Sequence, residues 1–176
     1  MSCVILYKSK YGATERYAGM LAGALGCSAL EIDRADAAQL SAADSVGFAG
    51  GIYAGGISGM SRFLKLLPSL GGKRLCVLCV GASPYDESAL AELRQRCKGL
   101  PADVPLFYAR GAWDEEAMSL KDRTLCKLLQ KMVAKQPEGV CEPWMRELLG
   151  AMGQKRDWVS EDYLPPVLNY LKGTEK

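Results

Sequence analysis

The residues best suited to bind an anion form one short loop, Ser9-Lys10-Tyr11-Gly12-Ala13-Thr14. The loop lies between an apolar run that predicts a buried strand and a segment with helical spacing. The first turn of a helix presents unpaired N–H groups and a partial positive charge, which together bind phosphate. Ser9 and Thr14 add hydroxyl groups, and Gly12 lets the backbone approach a ligand closely. The loop therefore predicts a phosphate site, with a simple turn and a helix cap at Gly12 or Ala13 as the open alternative.

Two further glycine-containing loops follow predicted strands, and each contains a tyrosine. They are Gly51-Ile52-Tyr53-Ala54-Gly55-Gly56 and Gly81-Ala82-Ser83-Pro84-Tyr85. Because Tyr53 lies among glycines, where a planar ligand can approach closely, we interpret it as a stacking residue; an ordinary loop aromatic is the alternative. Tyr85 is the weaker candidate, since Pro84-Tyr85-Asp86 is also a common turn composition.

Apolar runs and turn signals place these loops in a regular alternation of strands and helices. Strands are predicted at Cys3–Tyr7, Ala29–Asp33, Ser45–Gly50, Leu75–Val80 and Pro105–Ala109. Helices are predicted at 13–25, 37–43, 60–70 and 89–97. This β-α-β-α order is what a doubly wound parallel sheet requires, so the predicted fold class is α/β. Ligands of such sheets bind beyond the carboxyl ends of the strands, where all three loops lie.

The last third of the chain breaks this alternation. Residues 120–135 predict an amphipathic helix, residues 136–154 are irregular, and residues 167–171 predict a final short helix. One side of the amphipathic segment carries Leu125, Leu128, Leu129, Met132 and Val133, and the other largely carries Lys121, Arg123, Lys127, Lys131 and Lys135. We expect the leucines to pack on the protein and the basic face to be solvated. The alternative is a surface for anionic lipid or a membrane interface.

Composition and charge exclude several classes of function. The 176 residues predict one domain, 1–176, and a net charge of +2 without a Lys/Arg block argues against nucleic acid. The absence of histidine removes the commonest general base and metal ligand. Cys76-x-x-Cys79 lies within a predicted strand, where residues three apart face opposite sides, so we expect core thiols and no metal site.

Other motifs and targeting signals are also missing. The first loop contains neither a Gly-Lys-Ser/Thr sequence nor G-x-G-x-x-G, so a nucleoside triphosphate or dinucleotide fits it poorly. We expect no signal peptide, because the apolar stretch at Cys3–Tyr7 is short, and no membrane-spanning helix, because no apolar run approaches about eighteen residues. The seven cysteines, several in apolar runs, suit a reducing cytoplasm.

The first loop resembles the phosphate loop of flavodoxins, whose pattern is Ser/Thr-x-Thr-Gly-x-Thr, with Tyr11 where the family usually has Thr. The two later loops stand where that family has its other cofactor loops. The resemblance implies a flavodoxin-like five-stranded sheet of order 2-1-3-4-5, an extra C-terminal helical segment roughly at 111–157, and one noncovalent FMN. It implies that the ribityl phosphate is held by Ser9, Tyr11, Gly12, Ala13 and Thr14, and that Lys10 of the same loop also contacts the cofactor. It also implies that Tyr53 and Tyr85 flank the isoalloxazine ring of FMN. Backbone groups of the two later loops would then form hydrogen bonds with the edge of that ring, at Ile52, Ala54, Gly55, Gly81, Ala82 and Ser83.

A narrower resemblance covers Gly111-Ala112-Trp113-Asp114 and the segment from Ser119 to Lys135. Together with Ile52-Tyr53-Ala54-Gly55, these residues look like the flavodoxin-type protoporphyrinogen oxidases, which pass electrons from protoporphyrinogen IX through FMN to a quinone at the membrane. The resemblance implies an FMN-dependent oxidoreductase that is cytoplasmic or peripheral to the inner membrane. An electron carrier that serves a redox partner is the main alternative, although such carriers tend to be strongly acidic. A third hypothesis is an interaction domain that has lost its cofactor.

Overall fold

A parallel sheet forms the centre of the protein, whose computed structural model describes residues 2–137, 143–151 and 153–174. Its strands are β1 (Cys3–Lys8), β2 (Ser28–Glu31), β3 (Ser45–Tyr53), β5 (Arg74–Gly81) and β6 (Leu106–Arg110). They pair in the order β2-β1-β3-β5-β6, all parallel. This arrangement confirms the predicted fold class and strand order.

Three short strands lie outside this parallel array. Strand β4 (Gly56–Ile57) pairs antiparallel with the end of β3, and β7 (Ala112–Asp114) pairs antiparallel with β8 (Lys155–Asp157) in a small second sheet. Strand β3 runs to Tyr53, three residues beyond the predicted end at Gly50, because this pairing with β4 continues it. The extension carries Tyr53 to the tip of a hairpin above the sheet.

Helices cover both faces of the sheet. The α-helices of the described residues are α1 (Ala13–Leu25), α2 (Ala37–Ser41), α3 (Met60–Leu66), α4 (Glu87–Arg96), α5 (Leu120–Val133), α6 (Pro143–Gly150) and α7 (Pro165–Lys172), of which α1 to α4 and α7 cover the sheet. One core lies under α1 and α7 and contains Ile5, Leu21 and Leu171. The other lies under α2, α3 and α4, where the rings of Phe48 and Phe63 stack with centroids 4.9 Å apart. The strands are therefore buried on both faces, which explains their continuous apolar runs.

Cys76 and Cys79 confirm this two-sided burial. Both are fully buried in β5, but Cys76 belongs to the core under α1 and α7, and Cys79 to the core on the opposite face. Burial raises the pKa of the Cys79 thiol, which keeps it protonated. The expected role of both residues as core thiols is confirmed.

Several predicted boundaries were wrong for local reasons. The second strand ends at Glu31, because residues 32–34 form a 3₁₀ turn, and the helix predicted at 60–70 ends at Leu66, before a second 3₁₀ turn that contains Pro68. The last helix begins at Pro165 rather than 167, since proline is favourable in the first helical turn. The segment 136–154, which was predicted to be irregular, contains α6. Residues 138–142 and 152 of this segment lie outside the described part of the chain.

Helix α5 has the predicted location but not the predicted orientation. Its inward side chains include Asp122, Gln130 and Val133. Most of its apolar residues are instead open to solvent, with exposed fractions of 50% for Leu125, 55% for Leu128, 40% for Leu129 and 58% for Met132. The expectation that the apolar side packs on the protein holds for Val133 but not for these four residues, because helical periodicity identifies two faces without saying which one is buried.

The crowding between β3 and β4 gives a test of the fold. A Cβ at Gly50 would lie 2.3 Å from Ile57 Cγ2 and 2.8 Å from the carbonyl oxygen of Ser58. We expect Gly50→Ala to lower the free energy of unfolding by about 1–3 kcal/mol through overpacking. The control, Gly19→Ala in α1, meets nothing within 4 Å and should raise it by about 0.5–1 kcal/mol. Urea unfolding measures both, and equal effects would contradict the described packing.

Candidate functional site

A cavity of about 410 Å³ opens at the carboxyl ends of β1, β3 and β5. Its volume is within the range of small-molecule and cofactor sites. Strand β1 leads into α1 on one face of the sheet, and β3 leads through β4 into α3 on the other, so the cavity occupies the switch point of the sheet. The loop after β6 and helices α5 and α6 complete its wall.

The junction of β1 and α1 forms an anion cradle. Gly12 caps the helix with a φ of 91°, in the left-handed region that favours glycine, and its N–H donates to Ser9 Oγ at 3.0 Å. The N–H groups of the first helical turn, from Ala13, have no carbonyl partner within the helix. The side chain of Thr14 is buried and lies against Gly51, where an added Cβ would be 3.3 Å from Thr14 Oγ1. These neutral donors at a helix N-terminus suit a phosphate.

The end of β3 forms the second side of the cavity. Ala54 and Gly55 at the hairpin tip both have positive φ, 50° and 76°, and Ala54 is the only such non-glycine residue in the described part of the chain. A strained backbone of this kind is often found at ligand sites. Tyr53 precedes this turn, and its ring is partly exposed along the cavity wall.

One carboxylate from α5 connects the loop after β1 with the end of β3. Asp122, almost fully buried, accepts hydrogen bonds from Tyr53 Oη at 2.7 Å and from Tyr11 Oη, and its Oδ2 lies 2.5 Å from Lys10 Nζ. The Lys10 ammonium also lies 4.1 Å from the centroid of the Tyr53 ring. We call Lys10, Tyr11, Tyr53 and Asp122 the carboxylate cluster.

The electrostatics of this cluster keep Asp122, Lys10 and Tyr53 each in one protonation state. The hydrogen bond with Lys10, followed by those from Tyr11 and Tyr53, holds the pKa of Asp122 well below its usual range. The bond to Asp122 in turn raises the pKa of Lys10 and that of Tyr53. At neutral pH Asp122 is therefore an anion, Lys10 is a cation, and Tyr53 is a phenol that keeps its proton.

The rest of the wall is largely apolar and comes from the segment after β6. It includes Trp113, Met118, Leu125, Leu129 and Leu148. The indole Nε1 of Trp113 is buried without a hydrogen-bond partner among the residues that the structure describes. A buried donor of this kind is unusual in a protein and suits a site that a ligand completes. An apolar wall beside an anion cradle fits a molecule with a phosphate at one end and a flat ring system at the other.

The structure brings ten of the sequence-predicted site residues to this cavity. They are Ser9, Lys10, Tyr11, Ala13, Thr14, Ile52, Tyr53, Ala54, Gly81 and Ala82. Gly12 and Gly55 shape the loops without lining the cavity. Ser83 and Tyr85 also lie outside the lining: Tyr85 is 61% exposed with its ring 6.0 Å from that of Tyr108, whose hydroxyl donates to the Ser83 carbonyl. The aromatic residues of the lining are therefore Tyr11, Tyr53 and Trp113, and the role of Tyr85 stays a prediction.

Sequence reasoning missed Asp122 and the apolar wall. Asp122 is the only acidic residue in α5, whose other charged residues are all basic. This single acid was the available sign in the sequence that Asp122 has a partner elsewhere in the protein. Trp113 was noted only for a family resemblance, because nothing local shows that β7 folds back over the sheet. The places of Asp122 and Trp113 in the cavity wall both depend on contacts between residues more than 30 positions apart in the sequence.

The strand order defines a doubly wound α/β domain, and the cavity lies at its switch point. The family model described as a flavodoxin domain matches residues 4–139, which is more than half of the chain. The chain therefore belongs to the flavodoxin domain family. No curated protein matches it significantly.

Solved structures of low sequence identity resemble the fold. A flavodoxin from the domain Archaea is 16% identical with a TM-score of 0.47, covering 73% of this chain and 92% of that one. A WrbA-like flavodoxin from Agrobacterium tumefaciens is 22% identical with a TM-score of 0.46, covering 70% and 88%. A flavodoxin from Streptococcus pneumonia TIGR4 is 22% identical with a TM-score of 0.42, covering 70% and 94%. The assignment to the family rests on the family model and not on these likenesses.

The depressed pKa of Asp122 predicts an acid-dependent contribution to stability. Because its folded pKa lies below the unfolded value near 4, the contribution is complete above that value and is lost as pH falls through the folded pKa. We expect Asp122→Asn to destabilise the protein at pH 7 and to differ progressively less from wild type as pH falls below about 4. Urea unfolding of both proteins from pH 7 to pH 2 measures this difference. A difference that stays constant with pH would show that the carboxylate charge contributes nothing.

Proposed function

We propose that this protein binds one FMN noncovalently and uses it as an oxidoreductase. The observation that carries the proposal is the anion cradle at the β1–α1 junction, which lies beside a cavity large enough for a ring system. The N–H groups of Ala13 and Thr14, with the Ser9 and Thr14 hydroxyls, would hold the phosphate. Tyr53, the backbone of Ala54 and Ala82, and Trp113 would enclose the ring. The bound flavin would supply the hydride or electron transfer.

The protein's own contribution is to enclose the ring and to hold charge beside it. The wall from Trp113 to Leu129 would exclude water from the ring once the flavin is bound, and this would strengthen the electrostatic interactions within the cavity. Lys10 and Tyr53 keep their protons at neutral pH, so they act as hydrogen-bond donors and not as bases. Since the chain has no histidine, protons for the reaction come from water or from the flavin itself.

The wall added after β6 supports an enzyme over an electron carrier. A carrier needs only an exposed ring edge that a protein partner can reach, whereas a substrate needs space enclosed beside the ring. Here Met118, Leu125 and Leu129 provide such an enclosure, and a net charge of +2 differs from the acidic surface that steers carriers to basic partners. We propose protoporphyrinogen IX as the substrate and a quinone as the acceptor, on the resemblance of residues 111–114 and 119–135.

The exposed side of α5 supports access to a lipophilic acceptor at a membrane surface. Leu125, Leu128, Leu129 and Met132 follow helical i, i+3, i+4, i+7 spacing, and the stripe continues from the cavity wall to the outside. Lys127 and Lys131 lie along the neighbouring face of the helix, and Lys135 follows the end of the helix. An apolar stripe flanked by cations suits the interface of an anionic bilayer. In the part of the chain that the structure describes, no helix is both long and apolar enough to cross a bilayer.

Cofactor binding is tested by titrating FMN into the apoprotein and following flavin fluorescence. We expect Thr14→Val, which removes one hydroxyl near a charged ligand, to weaken FMN binding by about ten- to a hundredfold. The control is Thr124→Val in α5, whose exposed hydroxyl donates to the Leu120 carbonyl at 2.8 Å, and it should bind FMN like wild type. Wild-type affinity in Thr14→Val would show that the cradle is misplaced.

The enzyme and carrier hypotheses are separated by turnover. FMN-loaded protein is mixed with protoporphyrinogen IX and a soluble quinone, and porphyrin fluorescence is followed. We expect fluorescence to rise with multiple turnovers in wild type and much more slowly in Thr14→Val at limiting FMN. If porphyrin forms no faster than with heat-inactivated protein while the flavin can still be reduced chemically, the carrier function is favoured.

Membrane contact is tested by sedimentation with lipid vesicles. We expect the protein to sediment with vesicles that contain phosphatidylserine, less at high salt, and weakly with vesicles of phosphatidylcholine alone. The double variant Leu128→Ser/Met132→Ser should lose most of this binding, whereas Leu120→Ser, also exposed on α5 but outside the stripe, should retain it. Equal binding of both variants would contradict a docking role for the stripe.

A further inference from the structure

The carboxylate cluster is built from two loops and one helix that are far apart in the sequence. Lys10 and Tyr11 belong to the anion cradle, Tyr53 to the hairpin that faces the ring position, and Asp122 to α5. All four residues line the cavity. The side chain of Asp122 is only 4% exposed, whereas that of Lys10 is 45% exposed. The anion of this pair is therefore enclosed, and its cation lies at the opening of the cavity.

Structural stabilisation does not by itself account for such a pair. Burying a carboxylate costs solvation energy that one ion pair often only repays, so apolar side chains would close the cavity equally well. The arrangement has a second effect, because it places two opposite charges within hydrogen-bond distance of each other on the wall that faces the proposed ring. Removing either one leaves the other uncompensated at that wall.

We propose that Asp122 is a positioning residue that holds Lys10, Tyr11 and Tyr53 in place around the flavin and, by neutralising Lys10, sets how strongly the bound flavin attracts electrons. The inference rests on the proposed function, since it requires FMN in this cavity. Reduction adds negative charge to the flavin, so an uncompensated cation beside the ring favours the reduced form and an uncompensated anion disfavours it. In wild type the two charges largely cancel.

The directions in which two single substitutions shift the flavin midpoint potential separate this role from a merely structural one. Asp122→Asn keeps the side-chain shape and leaves the Lys10 charge unpaired, so the flavin midpoint potential should rise. Lys10→Met keeps an unbranched chain and leaves the Asp122 charge unpaired, so the potential should fall. The double variant should return toward the wild-type potential. A structural role predicts instead that both single variants disturb the same loops and change the flavin in the same direction.

The experiment is a spectroscopic redox titration of the FMN-loaded wild type, both single variants and the double variant, with FMN dissociation constants measured in parallel. The matched control is the exposed pair Arg16–Asp157, 2.7 Å apart and outside the cavity lining, studied as Arg16→Met and Asp157→Asn. We expect opposite shifts for the cluster variants and no resolved shift for the control variants. Circular dichroism of each variant establishes that it is folded.

Two outcomes overturn the inference in different ways. Shifts of the same sign in Asp122→Asn and Lys10→Met, or no shift in either, would show that the pair does not set the potential, although FMN still binds. Failure of the wild type to bind FMN would overturn the proposed function, and this inference with it.

Discussion

The strand order of the sheet is the constraint on which the other features of the site depend. Because β1 and β3 are neighbours whose following helices lie on opposite faces, the chain separates above them and leaves a crevice at their carboxyl ends. Helix α1 directs its unpaired N–H groups into this crevice, and the left-handed Gly12 sets the entry of the chain into the helix. A change in strand order would separate the anion cradle from Tyr53 and the wall that faces it.

The segment after β6 converts this open crevice into an enclosed cavity. Strand β7 places Trp113 over the site, and α5 supplies both apolar wall residues and the buried Asp122. Three donors from the two loops converge on that carboxylate, so the position of the helix and the conformation of the loops depend on each other. The same helix leaves five large apolar side chains exposed, and four of them, Leu125, Leu128, Leu129 and Met132, form one stripe. Such a contiguous exposed apolar surface is typical of an interaction site and unnecessary for folding.

Local sequence signals were sufficient for the sheet and for most of the cradle. Buried strands such as Cys3–Lys8 and Arg74–Gly81 are continuous apolar runs, and the hydroxyls and glycine of the first loop lie directly at a strand-to-helix junction. Tyr85 lies outside the cavity lining, and the neighbouring Asp86 caps α4 by accepting from the Ala89 N–H, so the stacking role of Tyr85 stays a prediction. Composition alone could not distinguish a ring-facing tyrosine from a turn tyrosine.

The closure of the site could not be predicted for a physical reason. The contact between Tyr11 and Asp122 joins residues 111 positions apart, and no periodic pattern encodes such a pairing. The amphipathic pattern of α5 correctly predicted a helix, but the identity of its buried face depends on which surface the folded sheet and β7 offer it. Information of this kind exists only in the tertiary structure.

The central claim is that a mononucleotide phosphate binds where β1 leads into α1, with its ring beside Tyr53. The most direct measurement is a titration of ¹⁵N-labelled protein with FMN, in which each assigned amide and indole resonance is followed by NMR. The account predicts that the largest shift changes occur at the amides of Gly12, Ala13 and Thr14, accompanied by Tyr53 and the Trp113 indole N–H. Saturable changes confined to another surface, with these resonances unmoved, would contradict it.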